Sequence, residues 1–156
     1  MGVMKAINKL LDMVLAVLLS IMSILVFSNV IMRYVFNSAL TWTDEAARYL
    51  YIWVIFCGAL IAYRENSHLG VDFLVQKLSI KGKKTLFFIN NLIILFILGL
   101  FIVGAWSYVM ITRDQWSPAL DIPLGIVYIS GLLSVGGMII VTLHNLFRLA
   151  TNRISD

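Results

Sequence analysis

The sequence MRYVFNSALTWTDEAARYLYIW, residues 32–53, separates two long apolar segments and concentrates two arginines, two adjacent acids and two tryptophans. A short turn through Asn37 lets the chain reverse direction after the first apolar segment. Thr43 is predicted to cap a second helix, because threonine side-chain oxygens accept hydrogen bonds from the free amides of a first turn. Asp44 and Glu45 would then lie at the positive end of the helix dipole. The stretch therefore predicts a hairpin of two helices.

The charges of this hairpin predict an ion pair between Arg33, at the end of the first helix, and Glu45, at the start of the second. Arg48 competes for Glu45, because residues three apart share one face of a helix. An acid and a base near a membrane boundary cost less free energy as a pair than separately. A purely structural interpretation is also open: the hairpin is capped and charge-balanced, and Trp42 anchors it at the headgroup level.

Composition identifies the environment of this hairpin. Hydrophobic residues make up 61% of the 156 residues, charged residues 13%, and the mean hydropathy is +0.95. Soluble domains contain about half apolar and about a quarter charged residues. We therefore predict an all-α integral membrane protein, a single four-helix transmembrane domain over residues 1–156. The four segments that approach or exceed the roughly 20 residues needed to cross a membrane are Leu10–Val35, Ala46–Tyr63, Phe87–Thr112 and Ile122–Phe147.

The basic residues predict the orientation of these helices. If the N-terminus is cytoplasmic, nine lysines and arginines fall inside, while Arg33, Arg48 and Arg113 fall outside or near the outer boundary. This asymmetry follows the positive-inside rule, so the N- and C-termini are both predicted to be cytoplasmic. The net charge of +4 is explained by this topology, and no nucleic-acid partner is expected.

The longest connection between spans, Glu65–Leu86, contains an apolar stripe at the i, i+3, i+4, i+7 spacing of a helix. A short amphipathic helix lying in the membrane interface fits this pattern, with the sequence KGKK at residues 81–84 beside anionic headgroups. The alternative is an ordinary positively charged inner loop. The stripe consists of Val71, Leu74, Val75 and Leu78.

The connection TRDQWSPALDIP, residues 112–123, is predicted to be an ordered outer loop, with Pro123 well placed at the start of the fourth helix. Trp116 in this loop is either a partner contact or a headgroup-level anchor. Within the fourth helix, small residues on one face allow close approach of another helix, from a partner or from this same chain. They are Ser130, Ser134 and Gly137.

The polar residues give no support for catalysis or for a bound cofactor. The chain has one cysteine and two histidines, and no helical pairing brings the histidines together as haem ligands. No nucleophile, base and orienting acid occur together as a triad requires, and no Cys/His cluster has metal-ligand spacing. The middle of each predicted span lacks an acidic residue, which argues against a self-contained proton-coupled pump. We predict that the protein is not an enzyme.

Three stretches together resemble a known family: RYVFNSALTWTDEAARYLYIW, GALIAYRENSHLGVD and SPALDIPLGIVYISG. With the four-helix layout, they are similar to the small membrane subunit of tripartite ATP-independent periplasmic (TRAP) transporters, the DctQ-like family. The resemblance covers essentially the whole chain. The matching residues, in order, are Arg33, Tyr34, Trp42, Glu45, Arg48, Trp53, Gly58, Arg64, His68 and Asp72.

This resemblance implies a function in transport across the bacterial inner membrane. In such systems a soluble periplasmic substrate-binding protein delivers an organic anion, such as a C4-dicarboxylate, sialic acid or a related sugar acid. A large membrane subunit carries the substrate and sodium sites, and the small subunit scaffolds it. The expected partners are the large subunit, the binding protein and membrane lipids. No cofactor is expected in this chain, because sodium coupling belongs to the large subunit.

Two sets of residues are therefore candidate sites, and one alternative function stays open. The alternative is a stand-alone, homo-oligomeric four-helix channel or transporter. The candidates for structural or subunit contacts are Arg33, Trp42, Glu45, Arg48, Trp53, Arg64, His68 and Asp72. The candidates for periplasmic docking, which lie in the predicted outer loop, are Arg113, Asp114, Trp116 and Asp121.

Overall fold

The computed structural model describes residues 2–38, 40–65 and 80–150, and four long helices account for most of them. Each helix is long and apolar enough to cross a membrane, which confirms the predicted four-helix fold. The described residues contain no strand, only an isolated bridge between Trp116 and Pro123. The helices are α1 Gly2–Tyr34, α2 Thr41–Glu65, α3 Ile80–Thr112 and α4 Leu124–Ala150.

The helices are longer than the apolar segments that predict them. Helix α2 begins at Thr41, ahead of the predicted Ala46, and α3 begins at Ile80, ahead of Phe87. Polar residues do not stop a helix once it emerges from the hydrocarbon, and lysine is a good helix former. The predicted interfacial helix over residues 71–78 lies outside the described residues and stays a prediction.

The predicted cap of α2 is wrong in position. Thr43 lies inside the first turn, where its hydroxyl donates a hydrogen bond to the Leu40 carbonyl at 2.6 Å, and its amide donates to the same oxygen at 3.1 Å. Leu40 therefore stands just before the helix, although its apolar side chain cannot cap it. The sequence pattern misplaced the cap because the helix continues outward past Thr43 as far as Thr41.

The four helices pack extensively in three pairs: α1 with α2, α2 with α4, and α4 with α3. Contacts thus connect the helices in the order α1, α2, α4, α3, and the two flanking helices each pack extensively against a single neighbour. Helix α4 is the most enclosed of the four. In its most apolar stretch 33% of the residues are buried inside the molecule, whereas none are in that of α1. The arrangement is an open row, which leaves broad apolar faces on α1 and α3.

Small residues of α4 bring α2 close to it. A side-chain Cβ added at Gly131 would lie 3.1 Å from the Phe56 ring, and one at Gly137 would lie 2.9 Å from Leu60. Ser130 is 1% exposed and Ser134 is 4% exposed on the same helix. Close packing of this kind drives helix association in lipid, where no hydrophobic force acts between helices. Gly137 of the predicted small-residue face thus packs against α2 of this chain, and its two serines are buried.

A buried hydrogen bond fixes the register of α2 and α4 farther along. The hydroxyls of Tyr63 and Thr142 lie 2.7 Å apart, and Thr142 also donates to the Met138 carbonyl at 2.8 Å. Because a threonine hydroxyl has one proton, Tyr63 must donate to Thr142. Phe56, Leu60 and Tyr63 therefore meet α4 in the order of the chain. Their partners are Gly131, Gly137 and Thr142, so the two helices run parallel.

Helices α3 and α4 form an antiparallel pair. The rings of Tyr108 and Tyr128 meet edge to face, with centroids 4.7 Å apart. Nearer the loop, a Cβ added at Gly125 would lie 3.1 Å from the Arg113 Cα, so the backbones of the two helices approach closely there. Glycine is the residue that this approach tolerates.

A candidate partner site at the outer end

Both of the described connections lie at the same end of the molecule. The connection from α1 to α2 is described at residues 35–38 and 40, and the loop at residues 113–123 joins α3 to α4. The Glu45 carboxylate joins them, since its Oε2 accepts a hydrogen bond from the Ala119 amide at 2.9 Å. We call this the outer end, following the orientation that the basic residues predict.

Asn29 of α1 fastens the turn to the start of α2. Its amide nitrogen donates to the Asp44 carboxylate at 2.6 Å, and its amide oxygen accepts from the Leu40 amide at 3.2 Å. The side chain thereby satisfies one of the backbone N–H groups that the beginning of a helix leaves unpaired. With only 6% of its surface exposed, Asn29 is the buried centre of this hairpin.

Arg33 pairs with Asp44 instead of the predicted Glu45. Its guanidinium lies 3.5 Å from the Asp44 carboxylate, and the two side chains are 53% and 58% exposed. The prediction was wrong by one residue, because neighbouring positions on a helix point about 100° apart. Asp44 faces α1, whereas Glu45 faces the α3–α4 loop.

Glu45 is the acceptor that holds the α3–α4 loop against α2. The Tyr49 hydroxyl, one turn along α2, donates to Glu45 Oε1 at 2.6 Å. The other oxygen accepts a hydrogen bond from the Ala119 amide. Hydrogen bonds to an ionised carboxylate are stronger than those between neutral groups. Glu45 is thus a link between two parts of the chain 74 residues apart.

The loop has internal hydrogen bonds of its own, as predicted for an ordered loop. The Ser117 amide donates to the Ile122 carbonyl at 2.9 Å, and the Leu124 amide donates to the Gln115 carbonyl at 2.8 Å. Asp121 adopts a φ of 50°, in the left-handed region that aspartate tolerates better than most residues. Ser117 is only 1% exposed, so the loop folds over its own buried hydroxyl.

The four predicted docking residues lie exposed on this loop or where it meets α3. Trp116 has 64% of its surface exposed. The charged side chains around it are of mixed sign, with one arginine and two aspartates. The exposed residues are Arg113, Asp114, Trp116 and Asp121.

Arg48 lies on α2 about one turn below Glu45 and is exposed. Among the residues that the structure describes, no carboxylate comes within salt-bridge distance of it. The predicted competition of Arg48 for Glu45 therefore involves no ion pair in this structure.

The remaining predicted residues take no part in the hydrogen bonds and ion pair described at the outer end. Trp42 is exposed in the first turn of α2, Trp53 is half-buried in the middle of that helix, and Arg64 lies in its last turn. His68 and Asp72 lie outside the described residues. In the part of the chain that the structure covers, no three His, Cys, Asp or Glu side chains gather as metal ligands would.

Sequence reasoning missed three residues that organise the outer end: Asn29, Tyr49 and Ser117. Asn29 had a detectable signal, since it is an amide in an apolar helix one turn before Arg33, on the same face. Tyr49 likewise follows Glu45 by four residues, the spacing at which side chains on a helix meet. Ser117 had no local signal, because its hydroxyl accepts from the Leu120 amide at 3.2 Å, and every residue except proline has such an amide.

Comparison with known proteins identifies this arrangement of helices and loops. A family model described as tripartite ATP-independent periplasmic transporters, DctQ component, matches residues 22–152. The chain belongs to this family. It is a multi-pass protein of the bacterial inner membrane, as the four apolar helices and the TRAP relatives together indicate.

Individual relatives agree on the type of subunit. A TRAP transporter small permease protein of Haemophilus influenzae is 39% identical over 128 residues, which cover 82% of this chain and 80% of the relative. The C4-dicarboxylate TRAP transporter small permease protein DctQ of Vibrio cholerae is 30% identical over 115 residues, covering 72% of this chain and 50% of the relative. The chain is thus a TRAP transporter small subunit.

A longer relative bears on the partner. The sialic acid TRAP transporter permease protein SiaT of Haemophilus influenzae is 32% identical over 81 residues, which cover 52% of this chain but only 13% of the relative. A segment similar to this small subunit therefore occurs within a much larger permease. This fusion indicates that small subunits of the family work together with a large permease.

Proposed function

We propose that this chain scaffolds the large membrane subunit of a TRAP transporter, for sodium-driven, binding-protein-dependent uptake of an organic anion. C4-dicarboxylates and sialic acid are the candidate substrates, because similar proteins carry those names. In this proposal the small subunit is a fixed reference in the bilayer, against which the transporting part of its partner moves. The substrate and sodium sites lie in the partner.

The open row of helices is the observation that supports this function. A compact bundle would surround an axis, whereas this row leaves α1 and α3 with one extensive contact each. Large side chains on both flanks are exposed, including Phe27 on α1 and Phe96 on α3. A broad apolar face provides contact area to a larger membrane protein without enclosing a pore.

The positions of the acidic residues favour a scaffold over a self-contained transporter. Asp44 and Glu45 lie in the first turns of α2, and Glu65 is its last residue. Asp12 lies in the N-terminal third of α1. No other acidic side chain occurs within the described helices, so their central turns offer no carboxylate for coupling to ions. Intramembrane acids are the usual elements of proton and cation relays.

Co-purification and reconstitution test the proposal together. The full chain is expressed with a tagged TRAP large subunit, and uptake is measured in proteoliposomes with a binding protein and a sodium gradient. We expect co-purification, and we expect uptake to require both membrane subunits. Uptake by this chain alone would favour the alternative of a homo-oligomeric channel or transporter.

The outer loop is proposed to contribute to docking of the binding protein. Its exposed charges suit a transient contact, where electrostatic complementarity affects association more than buried area does. Changing Asp114 and Asp121 to lysine should raise several-fold the binding-protein concentration that gives half-maximal uptake at low salt. Glu65→Lys, a charge reversal at the opposite end of α2, is the control. If uptake depends on binding-protein concentration in the same way for the unchanged chain, the double lysine variant and Glu65→Lys, docking rests on the large subunit alone.

A further inference from the structure

An apolar groove runs along the outer half of the molecule between α2 and α3. Helix α4 forms its floor through Tyr128 and Gly131, and the groove has a volume of about 470 Å³. Helices α2 and α3 both pack on α4 and lack an extensive contact with each other, which leaves the space open. The walls are Ile52 and Phe56 on α2, and Phe101, Gly104, Ala105 and Tyr108 on α3.

Arg48 lies at the outer mouth of this groove. It precedes Ile52 by four residues and Phe56 by eight, so the three side chains share one face of α2. Side chains on a helix lean toward its N-terminus, which for α2 is the outer end. The guanidinium therefore extends toward the headgroup level, outward of the apolar wall.

In the part of the chain that the structure describes, no carboxylate lies within salt-bridge distance of Arg48. An arginine facing lipid from within a transmembrane helix is costly unless it is paired or reaches the interface. Arg48 lies one helical turn outward of Ile52, so its positive charge stands at the outer end of the groove. The site thus combines a cationic head with an apolar channel beneath it.

The groove is long enough for part of an acyl chain. Its lining on α3 extends from Phe101 to Tyr108, a rise of about 10 Å. An extended hydrocarbon chain is slender enough to lie in this space.

We propose that this groove binds one phospholipid from the outer leaflet. The phosphate pairs with the Arg48 guanidinium, and an acyl chain lies along the groove between α2 and α3. Arginine matches phosphate oxygens with two parallel hydrogen bonds, which fixes the headgroup. Gly104 and Ala105 of the wall and Gly131 of the floor make room for the chain, and the lipid fills the space that separates α2 from α3.

Two glycines of α3 allow a matched test. A Cβ added at Gly104 or at Gly99 would meet no other atom within 4 Å, so both positions tolerate a side chain. Only Gly104 lines the groove. Gly104→Leu therefore fills the proposed acyl site, and Gly99→Leu adds the same side chain to the same helix elsewhere.

Native mass spectrometry of the complex with the large subunit, titrated with phosphatidylglycerol, measures the affinity for the first bound lipid. Gly104→Leu should weaken it by about tenfold or more, because an overfilled space excludes the chain. Arg48→Gln should weaken it about fivefold, as for the loss of one basic contact with an anionic headgroup. Gly99→Leu should leave it unchanged.

Two results would overturn the proposal. Equal lipid affinity in the two leucine variants would show that no lipid occupies the groove. Loss of the large subunit on Arg48→Gln, with lipid affinity unchanged, would show that the arginine pairs with the protein partner instead. Because lipid counting does not depend on uptake, either result is distinguishable from a failure of the scaffold function.

Discussion

The hairpin of α1 and α2 is predicted to depend on Asn29 far more than on the ion pair beside it. Asn29→Leu keeps a buried side chain of similar size but removes both hydrogen bonds, to Asp44 and to the Leu40 amide. Arg33→Ala removes only the contact of 3.5 Å with Asp44. Comparing the two substitutions separates the stability contributed by the buried amide of Asn29 from that contributed by the exposed ion pair.

We expect Asn29→Leu to lower the free energy of unfolding by at least about 1 kcal/mol more than Arg33→Ala does. Hydrogen bonds within membrane proteins contribute about 0.6 kcal/mol on average and about 1.7 kcal/mol at most. Asn29 makes two such bonds, and their loss leaves a helix-terminal amide unpaired, so we expect a cost of about 2 kcal/mol. The Arg33–Asp44 pair is more than half exposed, and such pairs contribute about 0–1 kcal/mol.

Unfolding of the purified chain by sodium dodecyl sulfate, followed by tryptophan fluorescence, measures these costs. Asn29→Leu should lower the folded-to-unfolded ratio about thirtyfold and Arg33→Ala about twofold. Asn91→Leu is the control, because Asn91 is equally buried but its amide donates within its own helix, to the Phe87 carbonyl at 2.8 Å. Equal losses for the two asparagine variants would refute the argument that the link between helices matters.

Two further predictions concern the contacts of α2. Gly137→Val should cost about 1–3 kcal/mol in the same assay, because its Cβ would meet Leu60 at 2.9 Å, whereas Gly136→Val has open space and should be neutral. Glu45→Ala should raise the hydrogen-exchange rate of the Ala119 amide by about tenfold, because that amide loses its acceptor. If the amide exchanges at an unchanged rate, Glu45 does not hold the loop.

The four spans could be predicted from the sequence because the signal is local. A run of about 20 apolar residues is a property of the chain itself and needs no knowledge of neighbours. The face of Ser130, Ser134 and Gly137 was predictable for the same reason. Its partner was not, because choosing α2 over another helix requires the packing order, and that order depends on contacts between distant segments.

The contacts at the outer end could be predicted only in part from the sequence. Arg33 and an acid on α2 were expected to pair, but whether Asp44 or Glu45 faces α1 depends on the rotation of α2 about its axis. That rotation is set by Gly131 and Gly137 on α4, far along the chain. The acceptor role of Glu45 was also hidden, since its partner is a backbone amide, and every residue except proline has one.

The position of the polar contacts explains how the outer end keeps its shape in a protein with so little buried surface. Helices in lipid gain little from burying apolar side chains against each other, so directional contacts must set their register. The structure places Asn29 between α1 and α2, and Glu45 between α2 and the α3–α4 loop. Both act on the first two turns of α2. A substitution there should therefore disturb the two outer connections, while the glycine contacts deeper in the membrane continue to hold α2 on α4.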